Sequence, residues 1–440
     1  MKKSFKNVGS RLILTLAAAF TLVLITAFPV KAASKPSPIT NLKQKEVTSD
    51  LSTSCVWVSW SCLGGSDTRY KIEVSEQPST GYRVVDGYTS STSESITDLS
   101  AGKTYYVRVT PFVEDDDTDE IIWGDTSAPV KVVTAPDKAP ATLTHTKSTT
   151  NSITVNWSAV PGADIYQVTY YKDYCTDSSK VMRCVTTGTS ITLKKLAKNE
   201  TYTVCIIGGR KYADGTTVAW AWSDNSIFKM GISVKPSNMS GVDVTHYWQS
   251  SSEICMEPSE MACADGYQYQ LYTAYKDKDS KIKTVTTNSP EFFTYIRTAA
   301  LKKHNFYKVR VRAYALNSKN EKMYGGWSSW KYVSPQPDVT KIKNNKSKKG
   351  IQISWDKIKG ADRYVVYVST KYVSTKKASG YKKSQTTTKN GTVITKCGKN
   401  KLKSGKTYYF YVVPQKKVGN KYVSGLAGNA DEDWCFKYKK

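Results

Sequence analysis

One pattern recurs four times along this chain and restricts its fold more than any other feature: a leucine, five residues, a tyrosine, then strict alternation. It reads Leu99…Tyr105-Tyr-Val107-Arg-Val109, Leu196…Tyr202-Thr-Val204-Cys-Ile206, Leu301…Tyr307-Lys-Val309-Arg-Val311 and Leu402…Tyr408-Tyr-Phe410-Tyr-Val412. The tyrosines stand 97, 105 and 101 residues apart. Apolar side chains at every second position bury one face of a β-strand. A unit returning about every hundred residues is a domain-sized repeat.

A second pattern precedes each corner. Val56-Trp-Val58-Ser-Trp60, Ile153-Thr-Val155-Asn-Trp157 and Ile351-Gln-Ile353-Ser-Trp355 are strands ending in an inward tryptophan, and the third copy reads Ile254-Cys-Met256. Next come Tyr70-Lys-Ile72-Glu-Val74, Tyr166-Gln-Val168, Tyr267-Gln-Tyr269-Gln-Leu271 and Tyr364-Val-Val366, with Gly162-Ala-Asp164 and Gly360-Ala-Asp362 as turns. Short alternating strands with turn signals between them predict an all-β antiparallel sandwich in each repeat.

In these residues the sequence resembles fibronectin type III modules. Trp60, Trp157 and Trp355 match the family's strand B, with Met256 standing in the third copy. The Tyr-x-apolar pattern matches strand C. Tyr105, Tyr202, Tyr307 and Tyr408 match the corner entering strand F, where the family's tyrosine hydroxyl bonds back to the backbone. The resemblance implies four tandem immunoglobulin-like (fibronectin type III) β-sandwiches over residues 38–136, 137–233, 234–336 and 337–440, the third divergent. Pro136 with Pro140, Pro236, and Pro335 with Pro337 mark the joints. Prolines stop strands from running on and stiffen linkers, so the expectation is a semi-rigid string of separately cored modules.

The N-terminus is set apart. Lys2, Lys3, Lys6 and Arg11 precede an apolar run from Leu12 to Phe28, and small residues follow around Ala32. This reads as a cleaved signal peptide over 1–32 with a short linker at 33–37, an uncleaved anchor being the alternative. No cysteine sits just after the run to accept a lipid, and no later stretch is apolar enough to span a bilayer. The expected location is extracellular, secreted from a bacterium or associated with its cell wall.

The net charge of +27 is uneven. Residues 38–136 carry 8 basic against 15 acidic side chains, and residues 337–440 carry 25 against 6, so the fourth repeat alone holds +19. Lys346, Lys348, Lys349, Lys376, Lys377, Lys382, Lys383, Lys401 and Lys403 are its candidate polyanion-binding residues. Lysine acts as a diffuse point charge, so the candidates are teichoic acid, acidic polysaccharide, anionic lipid head groups or extracellular nucleic acid, with low selectivity and no specific nucleic acid expected. Simple solubility is the alternative.

Nine cysteines in an exported chain suggest disulfides. The spacing suggests Cys55 with Cys62, Cys175 with Cys184, Cys255 with Cys263, and Cys397 with Cys435. Cys205 is left over, to bridge another chain, pair within its own repeat or stay free.

Signs of catalysis are few. His145, His246 and His304 fall in separate contexts and read as surface or loop histidines, and no glycine-rich phosphate loop, HExxH or GxSxG occurs. No CxxC or histidine cluster offers a zinc site. An enzyme, a metal and a cofactor are therefore not expected. The acidic run Glu114 to Glu120 is either a solvated hairpin tip or a calcium or basic-partner site. Trp123, Trp220, Trp222, Trp327 and Trp330 either pack at sandwich edges, stack with arginine or sit on a sugar face. Trp327-Ser-Ser-Trp330 faintly resembles the Trp-Ser-x-Trp-Ser motif of cytokine receptors. The expected function is adhesion, binding or display at a bacterial surface, through an envelope polyanion, an extracellular glycan or a protein. A carbohydrate-binding accessory protein of an extracellular enzyme system and a structural spacer are the alternatives.

Overall fold

The computed structural model describes residues 34–440 apart from 86, 116–117, 174, 249–251, 276–278, 291–292, 302–304, 373–379 and 427–433. Among the described residues the regular structure is strand, broken by 3₁₀ turns at Asp50–Thr53, Ser178–Lys180 and Asp224–Ser226. No helix among them is long and apolar enough to cross a membrane.

One sheet plan occurs four times: a three-stranded antiparallel sheet beside a five-stranded one. In the second copy the small sheet runs Ser190–Leu193, Ile153–Trp157, Leu143–Ser148. The larger runs Met182–Thr186, Ile165–Lys172, Thr201–Lys211, and the last of these also pairs with Val218–Trp220 and Ile227–Ser233. The fourth copy repeats the order with Val339–Asn345, Gly350–Trp355 and Gly391–Ile394 against Lys382–Thr387, Arg363–Ser369, Thr407–Val418, Lys421–Ser424 and Cys435–Lys437. The architecture is that of tandem β-sandwiches.

The alternation decides which face is covered. Along Thr201–Lys211, Tyr202, Val204 and Ile206 are buried while Thr203 and Cys205 stay half-exposed. A one-residue slip would turn every apolar side chain outward. Indoles and tyrosines meet edge-on in the cores: Trp60 with Tyr70 at 5.2 Å, Trp157 with Tyr166 at 5.5 Å and Trp355 with Tyr364 at 5.4 Å. In the third sandwich Met256 is fully buried, and aromatic bulk comes instead from Tyr307 packed edge-on to Tyr247 and Tyr275.

Polar atoms carried into these cores are paired locally, which offsets the cost of burying them. Tyr202 Oη accepts the Ala197 amide at 2.7 Å, Tyr408 Oη accepts that of Lys403 at 2.8 Å, and Tyr307 Oη donates to the Ala300 carbonyl at 3.3 Å. Tyr105 is buried at the matching corner. Tyr166 and Tyr364 hydroxyls each accept an amide six residues upstream, from Val160 at 3.0 Å and Ile358 at 2.8 Å. The turn aspartates clamp the hairpin beside them: Asp164 accepts from Lys211 N, Asp265 from Leu316 N and Asp362 from Lys417 N. Gly162 and Gly360, at φ of 79° and 88°, supply the left-handed backbone these turns need.

The chain divides into two compact units. One comprises the stretch ending at Gln44 with Val58–Glu94 and Tyr105–Val130; the other comprises Lys45–Trp57, Ser95–Thr104 and Lys131–Lys440. Within the second unit, successive sandwiches are not separately cored, contrary to the sequence-based expectation. Cys263 joins the core cluster of the second sandwich, and its amide donates to the Asn199 carbonyl at 3.1 Å. Ala274 and Phe306 of the third sandwich lie in the core cluster of the fourth. The Phe306 amide donates to the Lys359 carbonyl at 3.1 Å, fixing that insertion. Tyr212 and Ala219 cluster with Val133 and Ala135. Neighbours share apolar side chains because each joint is only a few residues long and both sandwich ends are partly apolar.

Candidate functional site

The antiparallel order of the fourth sandwich gathers several chain segments at one end. These are the turn between Val339–Asn345 and Gly350–Trp355, the start of Lys382–Thr387, the segment after Gly391–Ile394, the start of Thr407–Val418 and the C-terminus. Hydrogen bonds hold them together. Lys439 N donates to Asn344 Oδ1 at 3.1 Å and Lys440 N to Ser404 Oγ at 3.1 Å. Gly405 N donates to the Tyr438 carbonyl at 2.8 Å, and Tyr438 N to that of Lys406 at 3.0 Å. A Cβ on Gly398 would stand 3.5 Å from Lys382 Cγ. The opposite end is occupied by the Phe306–Lys359 contact with the third sandwich.

Lysines crowd this end. Lys346, Lys348 and Lys349 occupy the first turn, where Asn345 Oδ1 accepts the Lys348 amide at 2.9 Å and Lys349 takes φ of 50°. Lys382, Lys383, Lys401 and Lys403 are exposed around it, joined by Lys399, Lys406, Lys437, Lys439 and Lys440. Lys376 and Lys377 fall outside the described residues. Asp338, Asp356 and Asp362 belong to the other end, where the Asp356 amide meets the Asp338 carbonyl at 2.9 Å and Asp362 clamps Lys417. Among the described residues no carboxylate side chain pairs with the lysines of this end; Asp431, Glu432 and Asp433 fall outside them.

The outer face of the large sheet beside this end is tyrosine-rich. Tyr367 stacks on Tyr411 at 4.6 Å and 7°, Tyr381 meets Tyr411 edge-on at 4.8 Å, and Tyr372 lies 5.7 Å from Tyr409. Tyr367 is directly opposite Lys383, which ties this face to the lysines. Burial, with smaller contributions from Tyr367 and Tyr381, pushes the Tyr411 hydroxyl up to about 12. Tyr411 therefore keeps its proton at any physiological pH.

The equivalent face of the third sandwich is different. Lys308 lies over Trp330 at 4.6 Å, and Arg310 lies over both Trp330 and Trp327 at 4.5 Å. Arg312 continues over Trp327 at 4.5 Å and Tyr324 at 3.9 Å. Gln270 and Gln268 accept from the two guanidiniums. Here the tryptophans stack with arginine, and ring faces and cations satisfy one another. In the first sandwich Lys71 lies over Trp123 at 4.9 Å and Arg108 over Tyr82 at 4.0 Å. In the fourth, by contrast, Tyr367 and Tyr411 stack on each other with Lys383 directly opposite Tyr367.

Residues 138–227 match the fibronectin type III domain family model. This segment is a fibronectin type III domain. Its strand order and core pattern recur in the three other sandwiches, so the chain carries the fibronectin type III fold in tandem. Among solved structures, the crystal structure of the chicken CNTN1 FN1–FN3 domains is similar at 17% identity, covering 69% of this chain and all 100% of that one, with a TM-score of 0.24. A two-domain fibronectin type III segment of chicken tenascin is similar at 19% identity, covering 45% of this chain and 99% of that one, with a TM-score of 0.22.

The fibronectin type III topology explains why the cysteine pairs suggested by spacing are not formed: none of the nine cysteines is joined in a disulfide. Cys55 and Cys62 flank the strand Val56–Ser61. Seven extended residues separate them by about 23 Å, whereas a disulfide needs Cα atoms about 4–7 Å apart. Cys175 bonds the Asp177 carbonyl in a turn, while Cys184 points at the Val168 carbonyl against the core. Cys255 pairs across the small sheet with Tyr295, while Cys263 is taken into the second domain's core. Burial there pushes its thiol up to about 12. Cys397 reaches the Val368 carbonyl at 3.8 Å, and Cys435 pairs with Tyr409 on the far side of the strand Thr407–Val418. Two strand spacings, about 10 Å, keep that pair apart. Cys205 stays half-exposed, its thiol raised by burial.

His145 is not at the surface as the sequence suggests. It is 2% exposed, its backbone flanked by Ser318 of the third domain, which donates to its carbonyl at 3.3 Å and accepts its amide at 3.0 Å. His246 is exposed on Val242–Trp248, and His304 falls outside the described residues. In the acidic run, Glu114 pairs with Arg69 at 3.3 Å, and Asp116 and Asp117 fall outside the described residues. No group of three or more candidate metal ligands occurs among the described residues.

Proposed function

We propose that this is an exported, non-catalytic binding protein of a bacterial cell surface or matrix. Its C-terminal fibronectin type III-like domain docks by charge on anionic envelope polymer, and the domains before it hold a partner-binding surface. The observation that carries this reading is the gathering of lysines from separate chain segments at one end of the fourth domain, with no described carboxylate side chain among them. Solubility needs charge but not its concentration at one end. The basic, apolar, small-residue order of the N-terminus supports export.

The test uses the full-length protein with Lys346, Lys348, Lys349, Lys401 and Lys403 all changed to Glu. These are exposed side chains, so the fold is retained. Co-sedimentation with purified teichoic-acid-bearing cell walls at low salt is expected to fall at least about tenfold. Binding equal to that of the unmodified protein contradicts the proposal.

A further inference from the structure

We infer that the polyanion taken by the fourth domain is an acidic polysaccharide, a polymer whose charged repeat contains a sugar ring. This rests on the docking reading above and names the ligand class of the same surface. The lysine end alone selects nothing beyond negative charge, because ammonium groups on flexible stems attract phosphate, sulfate and carboxylate alike. The neighbouring sheet face adds a second chemistry. Tyr372 is 52% exposed and leans on Tyr409 at 5.7 Å; Tyr367 and Tyr411 continue the aromatic surface along the same face. Lys383, opposite Tyr367, joins that surface to Lys382 and so to the lysine end.

Three observations make this a platform for a ligand rather than internal packing. First, among the described residues no cation lies over its rings, whereas Lys308, Arg310 and Arg312 lie over Trp327 and Trp330 in the third domain. Second, Arg363 lies over Tyr422 at 3.4 Å by the turn at the opposite end of the sheet, away from these rings. Third, Lys383 lies directly opposite Tyr367, so the aromatic surface runs into the lysines without a break. A pyranose lays its C–H face on such a ring, while its carboxylates, spaced along the chain, reach the lysines. A bare polyphosphate uses the lysines and leaves the rings idle. Tyr367 and Tyr411 are stacked on each other, so the exposed Tyr372 beside Tyr409 offers a ring to one sugar at a time rather than a run of free faces to successive nucleobases.

The experiment measures affinity of the full-length protein for polygalacturonate, inorganic polyphosphate and single-stranded DNA, comparing the unmodified chain with Tyr372→Ala/Tyr409→Ala. The expected result is a loss of about tenfold on polygalacturonate, the size of one or two ring-stacking contacts, with less than a twofold change on polyphosphate. Tyr372→Phe/Tyr409→Phe, which keeps both rings and the packing, is expected to retain polygalacturonate binding. Equal losses on both polymers, or none, overturn the saccharide assignment and leave charge docking standing. A larger loss on DNA than on polygalacturonate overturns it in favour of nucleic acid. Failure of the unmodified chain to bind any of the three at low salt brings down the docking reading itself.

Discussion

Trp355 is fully buried, and its edge-on contact with Tyr364 places an indole where two sheets meet. Trp355→Ala leaves a cavity the strands cannot close and is expected to cost about 3–5 kcal/mol of the fourth domain's stability, measured by urea unfolding. Tyr408→Phe removes only the hydroxyl that accepts the Lys403 amide and is expected to cost about 1 kcal/mol. A loss as large as that of the tryptophan would show that the hydroxyl organises more than its corner. These residues were legible in the sequence because a period of two and a large aromatic at a fixed place declare an inward strand without any knowledge of neighbours. Met256 was legible as a departure, but the replacement of indole bulk by Tyr247 and Tyr275 was not, since those rings arrive from distant segments. The cysteine pairs were misread for the same reason. Closeness along the chain suggested bridges, but an extended strand carries Cys55 and Cys62 apart.

At the scale of elements, the strand Leu143–Ser148 holds His145 in a wall shared with the third domain. Asp265 and Cys263 line the same cavity; Asp265 accepts the Leu316 amide, and the Cys263 thiol stays protonated. Burial lowers the His145 pKa below the ordinary 6.5, opposed in small part by the Leu316 backbone. The folded state therefore binds fewer protons than the unfolded chain just below that value. The stability contributed by neutral His145 is complete above pH 6.5 and is lost as pH falls below it. Urea unfolding at pH 7.5 and 5.5 is expected to show that loss, and His145→Gln to reduce the difference. An identical pH dependence in the variant would contradict the assignment. The surface histidine expected from sequence failed because its covering, Ser318, belongs to another repeat. The lysine cluster was legible as composition, but its gathering at one end needed the strand order.

For the molecule beyond single domains, the sharing of Phe306 and Ala274 with the fourth domain's core predicts coupled unfolding. Phe306→Ala is expected to cost about 3–5 kcal/mol and to lower calorimetric transitions of both the third and fourth domains. A shift confined to the third would restore the picture of independent beads. Charge is also arranged at this scale, from a net −7 over residues 38–136 to +19 over 337–440, and the proposed docking through one basic end would give that gradient a use. The most direct test of the docking claim is the salt dependence of affinity between the full-length chain and purified wall teichoic acid, titrated from about 50 to 500 mM sodium chloride. Binding through lysines predicts that log K falls linearly and steeply with log salt, with a shallower slope once Lys346, Lys348, Lys349, Lys401 and Lys403 are reversed to Glu. A flat line for the unmodified protein, or an unchanged slope in the variant, would contradict the account.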